Sequence, residues 1–426
     1  MVFGIFVISF VVLFLVGMPI GFAMITSSVI YALLNDMNLS FFAMEMFSSL
    51  DSFTLIAIPM FMLTAEVMNM STVADRMFNL CNGLVGWIPG GLGHTNVLTS
   101  VIFAGMSGSA AADAGGIGYL SCKAMENRGF DKPFSNAVTA ASSCIGPIIP
   151  PSIPVIVYAM AVSSASVGKM LIGGVIPGLL MGLFMSLYIA WISIKRGYPK
   201  EERPTLKQLW KFTKQGFLPV MTPVILLLTI STGMVTVSEG AVVTVLYAMI
   251  LGMFVYRKVG FKSLITAARN VFHNCGSVMI FFAGGACFSH VLAKENIPQL
   301  FSTWMFSISS NPIVLLIIIN VFFFLVGCLS DPIVNITLFA PMVMPVVMMC
   351  GMDVNAFGVI LILNCMIGLI TPPVGTMVYI ISGLTKTDLF KVFKECLPFV
   401  AFFYILVTLL TIFPQIITFI PNLILG

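Results

Sequence analysis

Charged side chains are scarce in this sequence of 426 residues, and their scarcity excludes a soluble domain. Only 8% of the residues are Asp, Glu, Lys or Arg, whereas ordinary globular domains contain about 25%. Apolar residues make up 59% of the chain, and the mean hydropathy is +1.08. This composition suits a lipid environment, so we predict a polytopic, all-α integral membrane protein surrounded by phospholipid.

Paired metal-binding or disulfide motifs are also absent. The nine cysteines occur singly in apolar or helical contexts, without a Cys-x-x-Cys pair, and the histidines show no ligand-like spacing. We interpret the cysteines as packing residues and His94, His273 and His290 as helix-packing or interfacial residues, and no organic cofactor is indicated. The basic residues are scattered among short loops rather than gathered on one surface, which argues against a nucleic-acid partner.

Several apolar windows reach the length of about 20 residues that a helix needs to span the hydrocarbon core. They include Gly168–Ser193, Phe217–Val237 and Leu397–Ile420. The first window, Val2–Val16, has no basic residue before it and no cleavage site after it, so we predict a retained helix rather than a signal peptide.

The sequence contains a weak internal repeat. Four pairs of identical residues are each 222 positions apart, namely Gly105 and Gly327, Asp131 and Asp353, Gly146 and Gly368, and Pro150 and Pro372. We therefore predict two copies of one unit, residues 1–215 and 216–426, an organisation that is common in secondary transporters.

The basic residues predict how the copies sit in the membrane, because Lys and Arg gather in short cytoplasmic loops. A trace with re-entrant hairpins at 92–125 and 311–350 puts 18 of the 20 basic residues on the cytoplasmic side, the exceptions being Lys169 and Lys294. Each copy then crosses five times, about ten crossings in all, so the copies are inverted and both termini face outward. Hairpin arms of about 15 residues are about 22 Å long and end inside the membrane.

Two amphipathic stretches beside the spans predict helices that lie at the membrane surface, Pro204–Lys214 and Thr385–Cys396. In both, large apolar residues alternate with Lys, and Thr385 and Asp388 resemble N-cap residues in the second. Such a helix either anchors the protein or joins a fixed scaffold to a mobile block, and the sequence leaves both interpretations open.

Four polar breaks interrupt the apolar sequence, two in each half. Gly and paired Pro unwind a helix and free its carbonyl groups, while Ser, Thr, Asn and Asp add oxygen atoms beside them. Oxygen-rich breaks suit hard cations such as sodium, and the helix N-termini that follow suit a carboxylate. The alternative is that the breaks only kink or closely pack helices. They are Gly105–Asp113, Ser142–Ser152, Gly327–Asn335 and Asn364–Thr376.

Acidic residues inside the predicted hairpins are costly at membrane depth and are therefore functional candidates. Asp331 precedes Pro332 at the second tip, where it either contacts the solute or caps the second arm. Asp113 has the same two interpretations in the first hairpin. We expect Glu66, near the end of its span, to extend to the cytoplasmic interface.

Four motifs in combination resemble those of the large membrane subunit of tripartite ATP-independent periplasmic (TRAP) transporters over essentially the whole chain. They are Met-Pro-Ile-Gly-Phe-Ala from Met18, Ser-Gly-Ser-Ala-Ala-Ala-Asp from Ser107, Gly-Pro-Ile-Ile-Pro-Pro-Ser from Gly146 and Thr-Pro-Pro-Val-Gly from Thr371. The resemblance implies an inverted-repeat elevator transporter of the ion-transporter superfamily in the bacterial inner membrane, with periplasmic termini on our trace. It also implies sodium as driving ion, a small four-helix (Q-type) membrane subunit, and a periplasmic solute-binding protein that delivers an organic acid.

The resemblance implies positions for the transported species as well. The residues for one sodium ion are Ser107, Ser109, Ser143 and Gly146, and those for another are Gly327, Thr371, Gly375 and Thr376. The residues for the substrate are Ser107, Ser152 and Asp331, with Asp113 and Asn335 as further candidates. We expect a mobile transport domain of about 92–164 and 311–382, with the remainder as scaffold and arm helices.

Other functions are weighed against this one. A stand-alone sodium/carboxylate symporter of the same superfamily would need no binding protein, and inverted repeats with broken helices argue against a passive channel. An intramembrane hydrolase would need an Asp dyad or a Ser–His pair, but the usual Gly-x-Gly-Asp context and a suitable histidine are missing. The resemblance allows sialic acid, C4-dicarboxylates and other organic acids as substrate, and overall likeness favours sialic acid.

Overall fold

The computed structural model describes residues 2–233 and 235–425, and the regular secondary structure of these residues is helical. The prediction of an all-α protein is therefore confirmed. The helices of the first half are α1 (Val2–Leu15), α2 (Ile20–Leu34), α3 (Leu39–Leu50), α4 (Ala57–Met70), α5 (Val73–Val85), α6 (Gly91–Ser107), α7 (Ala110–Asp113), α8 (Tyr119–Asn127), α9 (Lys132–Ser143), α10 (Ile153–Ala161), α11 (Val167–Gly173) and α12 (Val175–Arg196).

The second half continues the helical chain from Leu206. Its helices are α13 (Leu206–Ser231), α14 (Val237–Ile250), α15 (Phe261–Lys294), α16 (Ile297–Ile308), α17 (Pro312–Gly327), α18 (Pro332–Met349), α19 (Val354–Gly368), α20 (Thr376–Thr385), α21 (Leu389–Ile412) and α22 (Gln415–Leu425). Short 3₁₀ or π-helical turns connect some of them, at Phe53–Ile56, Ala114–Gly118 and Leu251–Val255.

Both predicted helical hairpins are present. In the first, α6 lies beside α8, and the Asn96 amide nitrogen is 3.8 Å from the Met125 sulfur. In the second, α17 lies beside α18, and the ring centroids of Phe322 and Phe339 are 5.2 Å apart. Helices α6, α17 and α18 contain 17, 16 and 18 residues, so the arms are slightly longer than predicted.

Each hairpin is attached to the first half of a broken helix by buried hydrogen bonds. In the first half of the chain, the Asn96 amide donates to Thr139 of α9 over 2.7 Å. In the second, the Asn364 amide of α19 donates to the Asn320 carbonyl of α17 over 2.7 Å. Buried polar atoms need such partners, so these bonds hold each hairpin and its broken helix in one arrangement.

Seven helical segments among the described residues are long and apolar enough to cross a membrane, or eight if α16 and α17, which meet at 120°, form one span. The prediction of a polytopic membrane protein is therefore confirmed. Six shorter apolar helices of 10 to 15 residues also occur in the described part of the chain, among them α1, α2 and α19. The count of about ten crossings stays a prediction, because these helices are identified by length and composition only. The inversion of the repeat and its boundaries also stay predictions.

Both predicted surface stretches are helical, but each is part of a longer helix rather than a separate element, and their place at the membrane surface stays a prediction. Residues 206–214 are the start of α13, which begins with a capping box between Thr205 and Gln208 and continues to Ser231. The only glycine at the expected boundary, Gly216, packs against Leu80 and leaves the helix uninterrupted. Asp388 caps α21 as predicted, whereas Thr385 ends α20.

The predicted span Leu397–Ile420 is also wrong at its end. Helix α21 stops at Ile412, and α22 starts at Gln415. Pro414 lies between them, and its missing N–H group explains the stop because a proline cannot continue the backbone hydrogen-bond ladder. Hydropathy is high on both sides of this residue, so the window did not reveal the break.

Helices α4, α13 and α15 pack beside the hairpins, and α14 packs against α4 and α13. Helix α15 has 34 residues, about 51 Å at 1.5 Å per residue, and crosses α2 closely. A Cβ atom at Gly284 would lie 2.6 Å from the Gly21 carbonyl oxygen, so only glycine permits this approach. Helix α15 also packs against α4, so side chains on these two helices are held by packed helices rather than by loops.

Candidate functional site

The first hairpin turns at Gly108, between α6 and α7. Gly108 has φ +61°, and a side chain there would collide with the Pro151 carbonyl group. Ser107 ends α6 and is buried, while Ser109 caps α7 by accepting a hydrogen bond of 3.4 Å from Ala112 N–H. The tip is thus a short polar turn seated directly on the first broken helix.

The first broken helix is interrupted between Ser143 of α9 and Ile153 of α10. A Cβ atom at Gly146 would lie 3.2 Å from the Ser143 carbonyl oxygen and 3.4 Å from that of Ser109. Backbone oxygens of the tip and the break therefore converge around this glycine. The Ser143 hydroxyl donates to Ala140 over 2.8 Å, which leaves its oxygen free to accept.

Ser152 is placed differently from what the sequence suggested. Its side chain is fully buried, its hydroxyl donates to the Pro147 carbonyl, and its oxygen accepts from Val155 N–H at 3.2 Å. Ser152 therefore shapes the break and caps α10, and it does not line either of the two cavities described below.

The second hairpin turns at residues 328–331, and Asp331 caps α18. One carboxylate oxygen of Asp331 accepts a hydrogen bond of 2.9 Å from Ile333 N–H, and the residue is exposed. One turn further, Asn335 is buried, accepts a hydrogen bond from the Ser330 hydroxyl and donates one of 3.3 Å to the Ser330 carbonyl oxygen. Both sequence-based interpretations of Asp331 survive, because a cap can still present its second oxygen to a solute.

The second broken helix is interrupted between Gly368 of α19 and Thr376 of α20. The Gly327 backbone leaves no room for a side chain at Gly368, and Val374 N–H donates to Cys328 over 3.3 Å. Gly375 has φ +54°, and a Cβ there would lie 3.2 Å from the Thr371 carbonyl oxygen.

The possible cation ligands at these two breaks are carbonyl and hydroxyl oxygens. In residues 2–233 and 235–425, no three His, Cys, Asp or Glu side chains form a metal cluster. Hard cations accept such oxygen ligands, so the chemistry of the predicted residues fits sodium as transported species. The structure brings Ser109 next to Gly146, and Gly327 next to the second break, as the two predicted groups require.

A cavity of about 190 Å³ lies where the two tips and the two breaks meet, and we call it the inter-hairpin cavity. The first residues of three helices line it, Ile153 of α10, Pro332 of α18 and Thr376 of α20. Helix N-termini carry partial positive charge, so their convergence favours an anion. Its further lining includes Gly108, Ser109, Ala110, Ala111, Pro147, Asp331, Leu369 and Met62.

A second cavity of about 340 Å³ lies between the first tip and helices α4 and α15, and we call it the scaffold-side cavity. Ser107 and Ser109 line it from the hairpin. Helices α4 and α15 contribute four polar residues to the lining, Glu66, Asn69, Asn274 and Ser277. No motif or spacing in the chain groups these four residues. Glu66 lines this cavity together with Ser107 and Ser109 of the tip, and its extension to the cytoplasmic interface stays a prediction.

Asp113 does not line either cavity. Its side chain is fully buried, and neither carboxylate oxygen has a hydrogen-bond partner among the described residues. Since Ser109 caps α7, the interpretation of Asp113 as a cap is wrong. The candidate substrate residues are likewise divided: Ser107 lies on the scaffold-side cavity, Asp331 on the inter-hairpin cavity, and Ser152 on neither.

The proteins to which this chain is similar are permease components of one class of transporter. Residues 7–416 match the model of a family described as the tripartite ATP-independent periplasmic transporter, DctM component. The chain is 36% identical over 411 residues to the sialic acid TRAP transporter large permease protein SiaM of Vibrio cholerae, with 96% of each chain covered. It is 31% identical over 434 residues to the C4-dicarboxylate TRAP transporter large permease protein DctM of Vibrio cholerae, with 97% of this chain and 96% of the other covered.

The fold is also similar to a solved structure, that of the Alcanivorax borkumensis YdaH transporter. The TM-score is 0.65, the sequence identity is 12%, and 88% of each chain is covered. At this identity the likeness concerns the fold alone.

Proposed function

This chain belongs to the DctM family of tripartite ATP-independent periplasmic (TRAP) transporters, and from that premise we propose that it imports an organic acid in symport with sodium. It is a multi-pass inner-membrane permease subunit and not an enzyme. The relatives transport, by their names, sialic acid or C4-dicarboxylates, and either class fits the proposal at this level.

One observation carries the proposal, the meeting of both hairpin tips and both broken helices at the inter-hairpin cavity. Three helix N-termini border this cavity and would stabilise the carboxylate of an organic acid. Asp331 lies on the same lining, where it would accept a hydrogen bond from a substrate hydroxyl or amide or help hold a cation.

Sodium would bind where tip and break share backbone oxygens. For the first ion these are near Ser109, Ser143 and Gly146, and for the second near Gly327 and Thr371. Each group combines a hairpin with a broken helix, so an ion there would hold the two together. We propose that this coupling makes the transport body, about residues 92–164 and 311–382, competent to move against the scaffold as an elevator when ions and solute are bound.

The description of the family as tripartite supports a three-part system. We propose that a separate small membrane subunit packs against it and that a periplasmic solute-binding protein delivers the acid. The stand-alone symporter is the alternative, and it differs in needing neither partner.

Uptake into proteoliposomes tests the proposal. Vesicles containing this chain and the small subunit are supplied with loaded binding protein carrying radiolabelled sialic acid or succinate, with an inward sodium gradient. We expect accumulation of one of them that stops when potassium replaces sodium or when the binding protein is omitted. Accumulation without the binding protein would support the stand-alone symporter, and sodium-independent accumulation would contradict the proposed coupling.

The proposed orientation has its own test. Single cysteines at positions 205 and 388, the caps of α13 and α21, should react only with a thiol reagent that crosses the membrane. Rapid labelling by an impermeant reagent from the periplasmic side would contradict the trace.

A further inference from the structure

A groove between the first hairpin and helix α12 contains an unpaired polar side chain, and we call it the α6–α12 groove. Its volume is about 360 Å³, and most of its lining is apolar, including Val97, Val101 and Leu183. His94 also lines it, is 6% exposed, and its Nε2 atom has no hydrogen-bond partner among the described residues. Because buried polar atoms normally have partners, the groove suits a ligand that is mostly apolar and has a polar group.

A second space adjoins this groove at the connection between α5 and α6. It has a volume of about 510 Å³, is lined by Trp87, Pro89 and residues 200–203, and we call it the loop pocket. Val85 and Ile88, from the same connection, line the α6–α12 groove. Since alternate residues of one short segment border both spaces, an elongated ligand can occupy the two together.

The loop that follows α12 is attached to this connection. Glu201 N–H donates to the Gly86 carbonyl oxygen over 2.9 Å. The Arg203 guanidinium lies 4.3 Å from the centroid of the Trp87 ring. These contacts hold the loop pocket beside the α6–α12 groove, so the two spaces form one site.

The loop pocket contains unpaired charges of both signs. Glu201 forms an ion pair of 3.3 Å with Arg128, so its charge is compensated. Among the described residues, Lys200, Glu202 and Arg203 form no ion pair, and all three are exposed. Two unpaired cations beside one unpaired anion suit a zwitterion that has a phosphate and an ammonium group.

Aromatic and basic residues at this end of α12 are typical of a membrane–water interface. Trp87 and Trp191 are both exposed, and the Lys195 ammonium lies 5.3 Å from the centroid of the Trp191 ring. Trp side chains concentrate at headgroup level, and basic residues beside them attract lipid phosphates. Along α12 the groove extends from Ala190 back to Leu179, about 16 Å at 1.5 Å per residue, which is the direction an acyl chain would take from the loop pocket.

From these features we propose that the α6–α12 groove and the loop pocket together bind one phospholipid with an ethanolamine headgroup. One acyl chain fills the groove, and His94 donates from Nε2 to an ester oxygen of the glycerol backbone. The phosphate lies against Lys200 and Arg203, and the primary ammonium donates to the Glu202 carboxylate. Phosphatidylglycerol has no ammonium and leaves Glu202 unpaired, whereas the trimethylammonium of phosphatidylcholine has no hydrogen to donate.

This site is separate from the one proposed for the solute. The α6–α12 groove and the loop pocket share no lining residue with the inter-hairpin cavity or the scaffold-side cavity. The inference therefore goes beyond organic-acid transport and can fail while that proposal holds.

Native mass spectrometry of the complex of both membrane subunits tests the inference. The complex is delipidated in detergent and offered equal amounts of dioleoyl phosphatidylethanolamine, phosphatidylglycerol and phosphatidylcholine, which differ in mass. Three variants are compared with the wild type: Glu202→Gln removes the charged partner of the ammonium, Leu183→Trp fills the groove, and His94→Leu removes the polar group. Leu246→Trp is the matched control, since Leu183 and Leu246 are 53% and 54% exposed and Leu246 lies on α14 outside the groove.

We expect the wild type to retain phosphatidylethanolamine about threefold to tenfold more than the other two lipids, because only its headgroup pairs with all three unpaired charges. In Glu202→Gln this preference should fall to about twofold or less, because the ammonium loses its charged partner. His94→Leu should lower the retention of all three lipids about threefold, since ester oxygens are common to them. Leu183→Trp should abolish retention at this site, and Leu246→Trp should leave retention at the wild-type level.

Several results would overturn the inference. They are equal retention of the three lipids by the wild type, a preference for phosphatidylglycerol, an unchanged preference in Glu202→Gln, and unchanged retention in Leu183→Trp or His94→Leu. A photoreactive amino acid at position 183 that cross-links to the small subunit instead of lipid would overturn it as well, because a protein would then cover the groove. Thermal unfolding and co-purification of the small subunit show that each variant is folded.

Discussion

Ser109 of the first hairpin and Asp331 of the second occupy corresponding positions. They are 222 residues apart, the spacing of the internal repeat, and each caps the second arm of its hairpin. The same interval separates Asp113 from Asn335, one turn further along the arm. Each hairpin therefore has one carboxylate near its turn, at the tip itself in the second and one turn deeper in the first.

The surroundings of these four side chains differ accordingly. Asp331 faces the inter-hairpin cavity with a backbone partner, whereas Asp113 is buried with no hydrogen-bond partner among the described residues. Asn335, the neutral counterpart of Asp113, is paired with Ser330. The comparison teaches that only the second hairpin presents a carboxylate to a solute, while the first keeps an uncompensated one inside the protein.

The largest expected effect is at the exposed carboxylate. If Asp331 contacts the solute or a cation, Asp331→Asn and Asp331→Ala should each lower the initial rate of proteoliposome uptake about hundredfold, because the lost interaction involves a charge. If it only caps α18, Asn should work nearly as well as Asp. Ser109→Asn is the matched control, since it exchanges one cap for another at the corresponding position.

Near-normal uptake by Asp331→Asn, with the small subunit still bound, would remove Asp331 from the site. It would also make the two tips functionally equivalent, which contradicts the difference described above.

The next largest effect is expected at Asp113, the buried carboxylate of the first hairpin. Asp113→Asn should raise the thermal unfolding temperature by several degrees, because it removes a charge from a fully buried position. We expect uptake to fall about tenfold nevertheless, since a protein retains such a costly group when it serves transport. The reciprocal change, Asn335→Asp, should lower the unfolding temperature by placing a carboxylate in the second hairpin. An Asp113→Asn protein that is more stable and fully active would show that the group has no role.

The two proposed sodium sites provide an intermediate effect. Ser143→Leu and Thr376→Leu should each raise the sodium concentration for half-maximal uptake about threefold to tenfold, because a bulky apolar side chain displaces oxygen ligands. Thr376 lines the inter-hairpin cavity and Ser143 is buried behind it, so Thr376→Leu should also weaken solute binding. Thr64→Val, at a buried scaffold position whose hydroxyl bonds within α4, is the control. Unchanged sodium dependence in both variants would contradict the site assignment.

The smallest expected effect is a change in the free energy of unfolding at two corresponding helix starts, those of α19 and α9. Asp353 accepts from Ala356 N–H at 2.9 Å at the start of α19, whereas Asp131, its counterpart at α9, bonds instead to Tyr198 at 2.6 Å and Arg196 at 3.4 Å. Asp353→Ala should cost about 1 kcal/mol at any salt concentration. Asp131→Ala should cost about 0.5 kcal/mol at low salt and less at high salt, because its pair with Arg196 is partly exposed. Equal salt dependence of the two unfolding free energies would contradict this assignment.

The hairpins and breaks were predictable because they depend on local chemistry. Gly108 and Gly375 adopt positive φ, and the proline pairs from Pro150 and Pro372 stand in the breaks between helical segments, so the sequence marks each irregular backbone directly. Hydropathy likewise identified the membrane class, since an all-apolar stretch of this length has few other uses.

The side chains of the scaffold-side cavity were not predictable in the same way. Glu66 and Asn274 lie on uninterrupted helices, more than 200 positions apart in the chain, and meet only through the packing of α4 against α15. Ser152 shows the opposite error. A serine in a polar break was expected to bind substrate, but its hydroxyl forms hydrogen bonds with the backbone of Pro147 and Val155. Tertiary contacts decide both cases, and composition does not encode them.

The length of α15 links transport to the physical state of the lipid. From Arg269 to Lys294 the helix extends about 37 Å, whereas a typical hydrocarbon core is about 30 Å thick. Placing both charged ends at the headgroups therefore requires the helix to tilt, the bilayer to thicken locally, or the side chains to snorkel. Because Asn274 and Ser277 project from this helix, hydrophobic mismatch would change how closely they approach the first hairpin tip, and acyl-chain length becomes a variable of solute binding.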